Sequence, residues 1–159
     1  MLDQRTLTKL SGATSDLALP AVEATVNPFV WSDSHSLGLP EVDVEHRALF
    51  RLAEQLYDDV AKGQETDKLA SNLARLASYA SFHFENEEAL MQRTDFPEIA
   101  EHRLEHQTFI AQVANLESLR QDGHESLCAP LLEFLRAWTE QHIHGADRRL
   151  AEHVKRASC

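Results

Sequence analysis

Residues 83–106 run HFENEEALMQRTDFPEIAEHRLEH. The break at Thr94-Asp95-Phe96-Pro97 divides two stretches of good helix formers, because a short polar pair followed by proline punctuates the chain. On each side an apolar stripe is interrupted by metal-type donors: His83 and Glu87 before the break, His102 and His106 after it. Residues four apart are neighbours on one helix face, so each pair can reach a common point. Folding the two stretches antiparallel brings the pairs to one height, since their midpoint falls inside Thr94–Pro97.

The same pattern extends outward in both directions. Each stripe has the alternating three-and-four spacing of one buried helix face. A first stripe runs His46, Leu49, Ala53, Leu56, Val60 and stops at Gly63. The second begins earlier than the quoted stretch, at Leu69, Leu73, Leu76 and Ala80, and ends at Leu90, with Thr66 as its expected N-cap. The third continues from Ile99 through Phe109, Val113 and Leu116 to a stop at Gly123, with Pro97 suiting its first turn. The fourth carries Leu132, Leu135, Thr139, His142 and Ala146, with Ser126 or Ala129-Pro130 near its start. Short connections make consecutive helices antiparallel neighbours, so the expected fold is all-α, an antiparallel up-down-up-down four-helix bundle. Residues 31–156 would form it, behind an N-terminal arm over residues 1–30 without sustained periodicity.

Two further midpoints agree with the first. That of His46 and His83 falls inside Lys62-Gly63-Gln64-Glu65. That of the third-helix histidines with His142 and Asp147 falls near Asp122-Gly123-His124-Glu125. Five histidines and two carboxylates therefore belong to one layer of the bundle. The five-residue step from His142 to Asp147 turns an ideal helix about 140° away from alignment, so a local distortion is expected around Gly145.

Seven buried polar groups facing one another are tolerable only with positive charge among them. Seven donors exceed the coordination of one ordinary ion, which implies two metals, five terminal imidazoles and two bridging carboxylates. The nitrogen-rich set disfavours calcium and magnesium; iron, zinc and copper all remain chemically possible. A purely polar network is the alternative.

Composition narrows the class. The formal net charge of −11 argues against electrostatic binding to nucleic acid or an anionic membrane face. No 18-residue apolar run is present, so no membrane span is expected, and the N-terminus lacks a secretory pattern. Two cysteines, Cys128 and Cys159, suggest no disulfide framework and fit the reducing cytoplasm, Cys128 as a small buried hydrophobe and Cys159 as a tail thiol.

Together these motifs resemble the hemerythrin family: Trp31, then Asp43 and His46 in DVEHRALF, Tyr79, HFENEE with Met91, the His102–His106 pair, and Trp138 with His142, Ile143 and Asp147. The resemblance covers about residues 31–150. It implies the bundle topology that myohemerythrin exemplifies, two iron ions with a solvent-derived bridge, and reversible binding of dioxygen for carriage, storage or delivery. By the same resemblance His102, His106 and His142 hold one iron. His46 and His83 hold the other, which keeps an open position, and Glu87 and Asp147 bridge them. Two carboxylates, against the four of ferritin-like sites, should favour Fe(II) and reversible binding. The family usually has an apolar residue, often leucine, where this chain has Thr139. A hydroxyl there would line the dioxygen pocket, unless it bonds back to its own helix.

Trp138 and Tyr79 are expected to pack near the site, with hydrogen bonding to its surroundings as a lesser role. His35, His124, His144 and His153 fall off the stripes and are expected at the surface. In the acidic run Glu85-Asn86-Glu87-Glu88 only Glu87 is expected inward. Two other functions remain in view: sensing of dioxygen or redox state through a protein partner met by residues 1–30, and enzymatic reduction of peroxide or nitric oxide. No separate nucleophile, base or cofactor loop is evident.

Overall fold

Pro40 opens the first long helix, α1 (Pro40–Ala61), at the position where a missing N–H costs nothing. Glu41 and Asp43 in its first turn complement the helix dipole. The computed structural model describes residues 27–62, 65–121 and 127–157. Within them α1 is followed by α2 (Glu65–Arg93), α3 (Ile99–Gln121) and α4 (Cys128–His142). A π-helical turn (Ile143–Asp147) joins α4 to α5 (Arg148–Ala157), so the fourth rod is continuous but locally widened. The pairs α1–α2, α2–α3, α3–α4 and α1–α4 are all in contact, which closes the rods into an up-down-up-down bundle.

The α2–α3 turn shows why the quoted stretch breaks where it does. Asp95 adopts a left-handed conformation with φ 50°, and the Phe96 N–H reaches back to the Met91 carbonyl at 2.9 Å. This is a helix stop in which the left-handed residue lets the chain satisfy its last carbonyls. Aspartate tolerates that region better than most residues.

The stripes run close to the expected phase, with shifts at their edges. Phe50, Met91 and Leu131 are buried, whereas Leu49, Leu90 and Leu132 are half-buried. A stripe about 100° wide accepts either member of such a pair, and the larger or better-aimed side chain goes inward. The main core holds Phe29, Leu56, Leu73, Leu76, Phe109, Val113 and Leu135 among others. A smaller cluster of Met91, Phe96 and Leu150 packs at the other end. Reading along α2 from Leu76 and Ala80 through His83 and Glu87 to Met91, the donor layer lies between these two apolar plugs.

The lead-in is pinned by Asp43. Its carboxylate, 6% exposed, accepts bonds from the Leu37 N–H at 2.7 Å, the Gly38 N–H at 3.1 Å and the Ser36 hydroxyl at 2.7 Å. Trp31 meets Phe50 edge-on at 5.4 Å. Within residues 27–30, which the sequence places in the arm, Phe29 is buried and the Asn27 amide donates to the Glu54 carbonyl, whereas Pro28 and Val30 are exposed. The expectations for residues 1–26, Gly63, the Thr66 cap, Gly123, His124, Ser126, the Cys128 side chain and Cys159 lie outside the described residues. Among the described residues no helix is long and apolar enough to cross a membrane.

Candidate metal centre

Each rod contributes to one buried cluster. α1 brings His46, α2 brings His83 and Glu87, α3 brings His102 and His106, and the fourth rod brings His142 and Asp147. All seven are 2% exposed or less. The imidazoles aim their Nε2 atoms inward: His46 and His83 stand 3.1 Å apart, His102 and His142 3.1 Å, His106 and His142 3.1 Å. Glu87 Oε2 lies 3.3 Å from His102 Nε2 and 3.2 Å from His106 Nε2; across the cluster it is 3.9 Å from His83 Nε2. Asp147 Oδ1 lies 2.9 Å from His142 Nε2 and 3.1 Å from His102 Nε2, and its Oδ2 is 3.3 Å from His46 Nε2. Two metal-sized groups result, Glu87-His102-His106-His142 and His46-His83-Glu87, with Glu87 common to both. Asp147 touches imidazoles of each.

The π turn explains how Asp147 arrives. A ladder bonded to the fifth residue, rather than the fourth, puts residues five apart on one face. His142 and Asp147 are five apart, and the widened turn spans Ile143–Asp147.

Three of the rings are anchored from behind by carboxylates. Glu45 Oε2 accepts from His83 Nδ1 at 2.9 Å, Glu88 Oε1 from His106 Nδ1 at 3.2 Å, and Glu105 Oε2 from His142 Nδ1 at 2.6 Å. A carboxylate only accepts, so these Nδ1 atoms carry the proton, and a neutral ring then turns its Nε2 lone pair inward. Glu88 therefore does not face solvent as the sequence reading expected; Arg103 holds its other oxygen at 2.8 Å. Spacing along one helix missed all three acids because each serves a ring on the neighbouring helix. Their signal was adjacency: each is next in sequence to a donor of its own helix.

Electrostatics indicate what the cluster requires. Burial and the Asp147 carboxylate act to raise Glu87, yet His102, His106 and His83 outweigh them and hold it at about 2. Burial also opposes ionisation of Asp147, and the surrounding imidazoles still hold it well below the usual carboxylate range. Burial would depress the histidines, but the carboxylates lift His102 to about 9, His142 to about 10, and His83 upward. Both oxygens of Glu87 and of Asp147 are buried without a hydrogen bond of good geometry. Orphaned anionic oxygens facing inward lone pairs need positive charge between them. Nitrogens bound at right angles to one ion at about 2.1 Å would stand about 3 Å apart, close to the spacing present. The donors fit a pair of metal ions.

Beside the cluster lies a cavity with about 30 Å³ open to the centre of a water-sized sphere. His46, His83, His142, Asp147, Thr139 and Trp138 line it together with apolar residues that include Leu49, Phe50, Phe84 and Leu135. Trp138 stacks on His142 at 4.2 Å, and Phe84 stacks on His106 at 3.9 Å. Tyr79 is not among the lining residues; it lies within α2 beside Phe82 and lines surface grooves. Of the off-stripe histidines, His144 is exposed. His35 and His153 are half-buried, His35 against Phe50 and His153 with Nε2 donating to the Thr94 carbonyl at 2.7 Å.

Comparison with known proteins gives the cluster its context. The family profile for the hemerythrin HHE cation binding domain matches residues 37–154. A bacteriohemerythrin of Clostridium acetobutylicum is 32% identical over 126 residues, spanning 76% of this chain and 96% of that protein. The myohemerythrin of Riftia pachyptila is 31% identical over 121 residues, spanning 76% and 89%. A crystal structure described as that of a leucine-to-phenylalanine mutant superimposes with a TM-score of 0.69 at 25% identity, covering 75% of this chain and 91% of that one. A four-rod bundle with this donor layer, matched over most of its length by such relatives, makes the chain a member of the hemerythrin family.

Proposed function

We propose that this protein binds dioxygen reversibly at a non-haem di-iron centre, and that it carries, stores or delivers dioxygen in the cytoplasm. The observation that carries the reading is the pair of donor groups sharing Glu87, beside a cavity sized for a diatomic ligand. His102, His106 and His142 would hold one iron and His46 and His83 the other, with Glu87 and Asp147 common to both. Bound there, two ferrous ions would supply the reversible electron transfer that dioxygen binding needs.

The chain's own residues supply the conditions. Both histidines of the two-histidine group, His46 and His83, line the cavity, whereas His142 alone of the three-histidine group does so. Glu45, Glu88 and Glu105 hold three rings in the tautomer that presents Nε2 to metal, and such outer partners also raise ligand basicity. Phe84, Trp138 and Leu135 line the cavity with apolar surface that disfavours bulk water. Two bridging carboxylates add less negative charge than four would, which favours the reduced pair of ions and release of dioxygen unchanged.

Reconstitution tests the reading. Protein loaded with Fe(II) without air should retain about two irons per chain. Admitting air should raise a visible charge-transfer absorption, and removing dioxygen should abolish it. A stoichiometry of one, a zinc-selective protein, or an absorption that cannot be reversed would overturn the proposal.

A further inference from the structure

From the cavity beside the cluster we infer that Thr139 is a specificity-determining residue, whose hydroxyl donates a hydrogen bond to small accepting ligands of two or three heavy atoms. The inference rests on the di-iron reading above and adds a preference that the metal donors alone would not impose.

The cavity wall is apolar apart from the candidate metal donors, the Trp138 indole and Thr139. Thr139 is half-buried, and a hydroxyl in such a wall either bonds to its own helix or stays available. Two threonines elsewhere take the former course: Thr94 donates to the Leu90 carbonyl at 2.8 Å and Thr108 to the Leu104 carbonyl at 2.8 Å. Thr139 does not. Among the described residues its hydroxyl has no hydrogen-bond partner, although its backbone carbonyl accepts from the Ile143 N–H where the π turn begins.

Thr139 sits one turn before His142 on α4, so its side chain and the His142 ring meet the same cavity. His46, His83 and Asp147 face that space too. A ligand entering it encounters Thr139 as the neutral hydroxyl donor of the wall. The available volume, about 30 Å³, suits a diatomic or triatomic species. A hydroxyl donor facing such a ligand discriminates in favour of those with an accepting outer atom, and most strongly when that atom carries negative charge.

Azide serves as the probe, on wild-type protein and the variants Thr139→Val and Thr139→Ser, all iron-loaded and oxidised. Valine keeps the shape and removes the hydroxyl; serine keeps the hydroxyl and removes the methyl. The iron content of each, measured beforehand, tests the metal reading separately from this one. Expected is a roughly tenfold weaker azide affinity in Thr139→Val, with Thr139→Ser within about twofold of wild type. Equal affinity in Thr139→Val and wild type, or equal losses in both variants, would overturn the assignment. A second readout needs no iron. If the hydroxyl has no partner in the folded chain, metal-free Thr139→Val should unfold a few degrees above metal-free wild type. An unchanged or lower midpoint would mean that the hydroxyl is already satisfied, and would equally overturn it.

Discussion

Glu45 is next to His46 on α1, yet its carboxylate is bonded to His83 on α2, with Oε2 2.9 Å from Nδ1. The Asn86 amide donates to its other oxygen at 2.7 Å, so the acid is clamped between two α2 residues one turn apart. The bond fixes both the tautomer and the swing of the His83 ring, and it ties α1 to α2 at the height of the donor layer. Glu105, beside His106 on α3, does the same for His142 on α4. The bundle thus orients its donors by bonds between rods.

Replacing Glu45 by alanine should leave the helices intact and loosen His83. Loss of such a partner costs roughly 10- to 100-fold in metal affinity. Competition for iron against a chelator, with Glu152→Ala as an exposed control, would measure it. Affinity equal to the control's would show that the His83 ring is held by packing alone.

The same glycine-to-alanine change should have opposite signs at two positions. Gly38 has φ +68°, and an added Cβ would stand 2.8 Å from Lys155 Nζ, whose ammonium also bonds the Leu37 carbonyl. Gly38→Ala should destabilise by at least about 1 kcal/mol. At Gly145 an added Cβ meets nothing nearer than Arg149 Nη1 at 3.7 Å, and the backbone is right-handed. Gly145→Ala should stabilise by about 0.5–1 kcal/mol without loss of metal, through lower backbone entropy in the unfolded chain. Urea unfolding of both variants would check the pair; a destabilised Gly145→Ala would mean that the π turn depends on glycine.

Met91 is fully buried in the small cluster that closes the far side of the donor layer. Truncation to alanine should cost about 2–5 kcal/mol. Denaturant midpoints would give the value, and a loss below 1 kcal/mol would show that Phe96 and Leu150 collapse into the space.

The metal-free protein should weaken toward alkaline pH. His102 at about 9 and His142 at about 10 stand above the ordinary 6.5, so the stability they confer is complete below 6.5 and lost as pH rises through 9 and 10. Glu87 at about 2 stands below 4.5, so its contribution is present above 4.5 and lost as pH falls toward 2, and Asp147 acts in the same sense. Stability without metal should therefore peak between 4.5 and 6.5. Urea midpoints of chelator-treated protein at pH 5.5 and 9.5 test it; a midpoint no lower at 9.5 would contradict the scheme. Metal must displace the same protons, so loading near neutrality should release acid, detectable with a pH indicator.

Periodicity alone reached the rods and the donor layer. His83, Glu87, His102 and His106 could be read together because a helix repeats every three to four residues and the turns sit at the midpoints of the pairs. The limits of that reading are equally physical. Glu45, Glu88 and Glu105 look like ordinary solvated acids along their own helices, and only the neighbouring rod shows what they hold. Phe29 looked like part of a tail because nothing local marks it for burial; its partners on α1 lie more than twenty residues away.

What the sequence by itself determined was the bundle and its ring of histidines and carboxylates, since both follow from short-range spacing. Only the tertiary structure decided how Asp147 is delivered, through the π turn at Ile143–Asp147, and which acids orient which rings. It also decided that Thr139 lines the cavity. These depend on distances between side chains of different rods and on backbone widening under packing, which no repeat along one helix encodes.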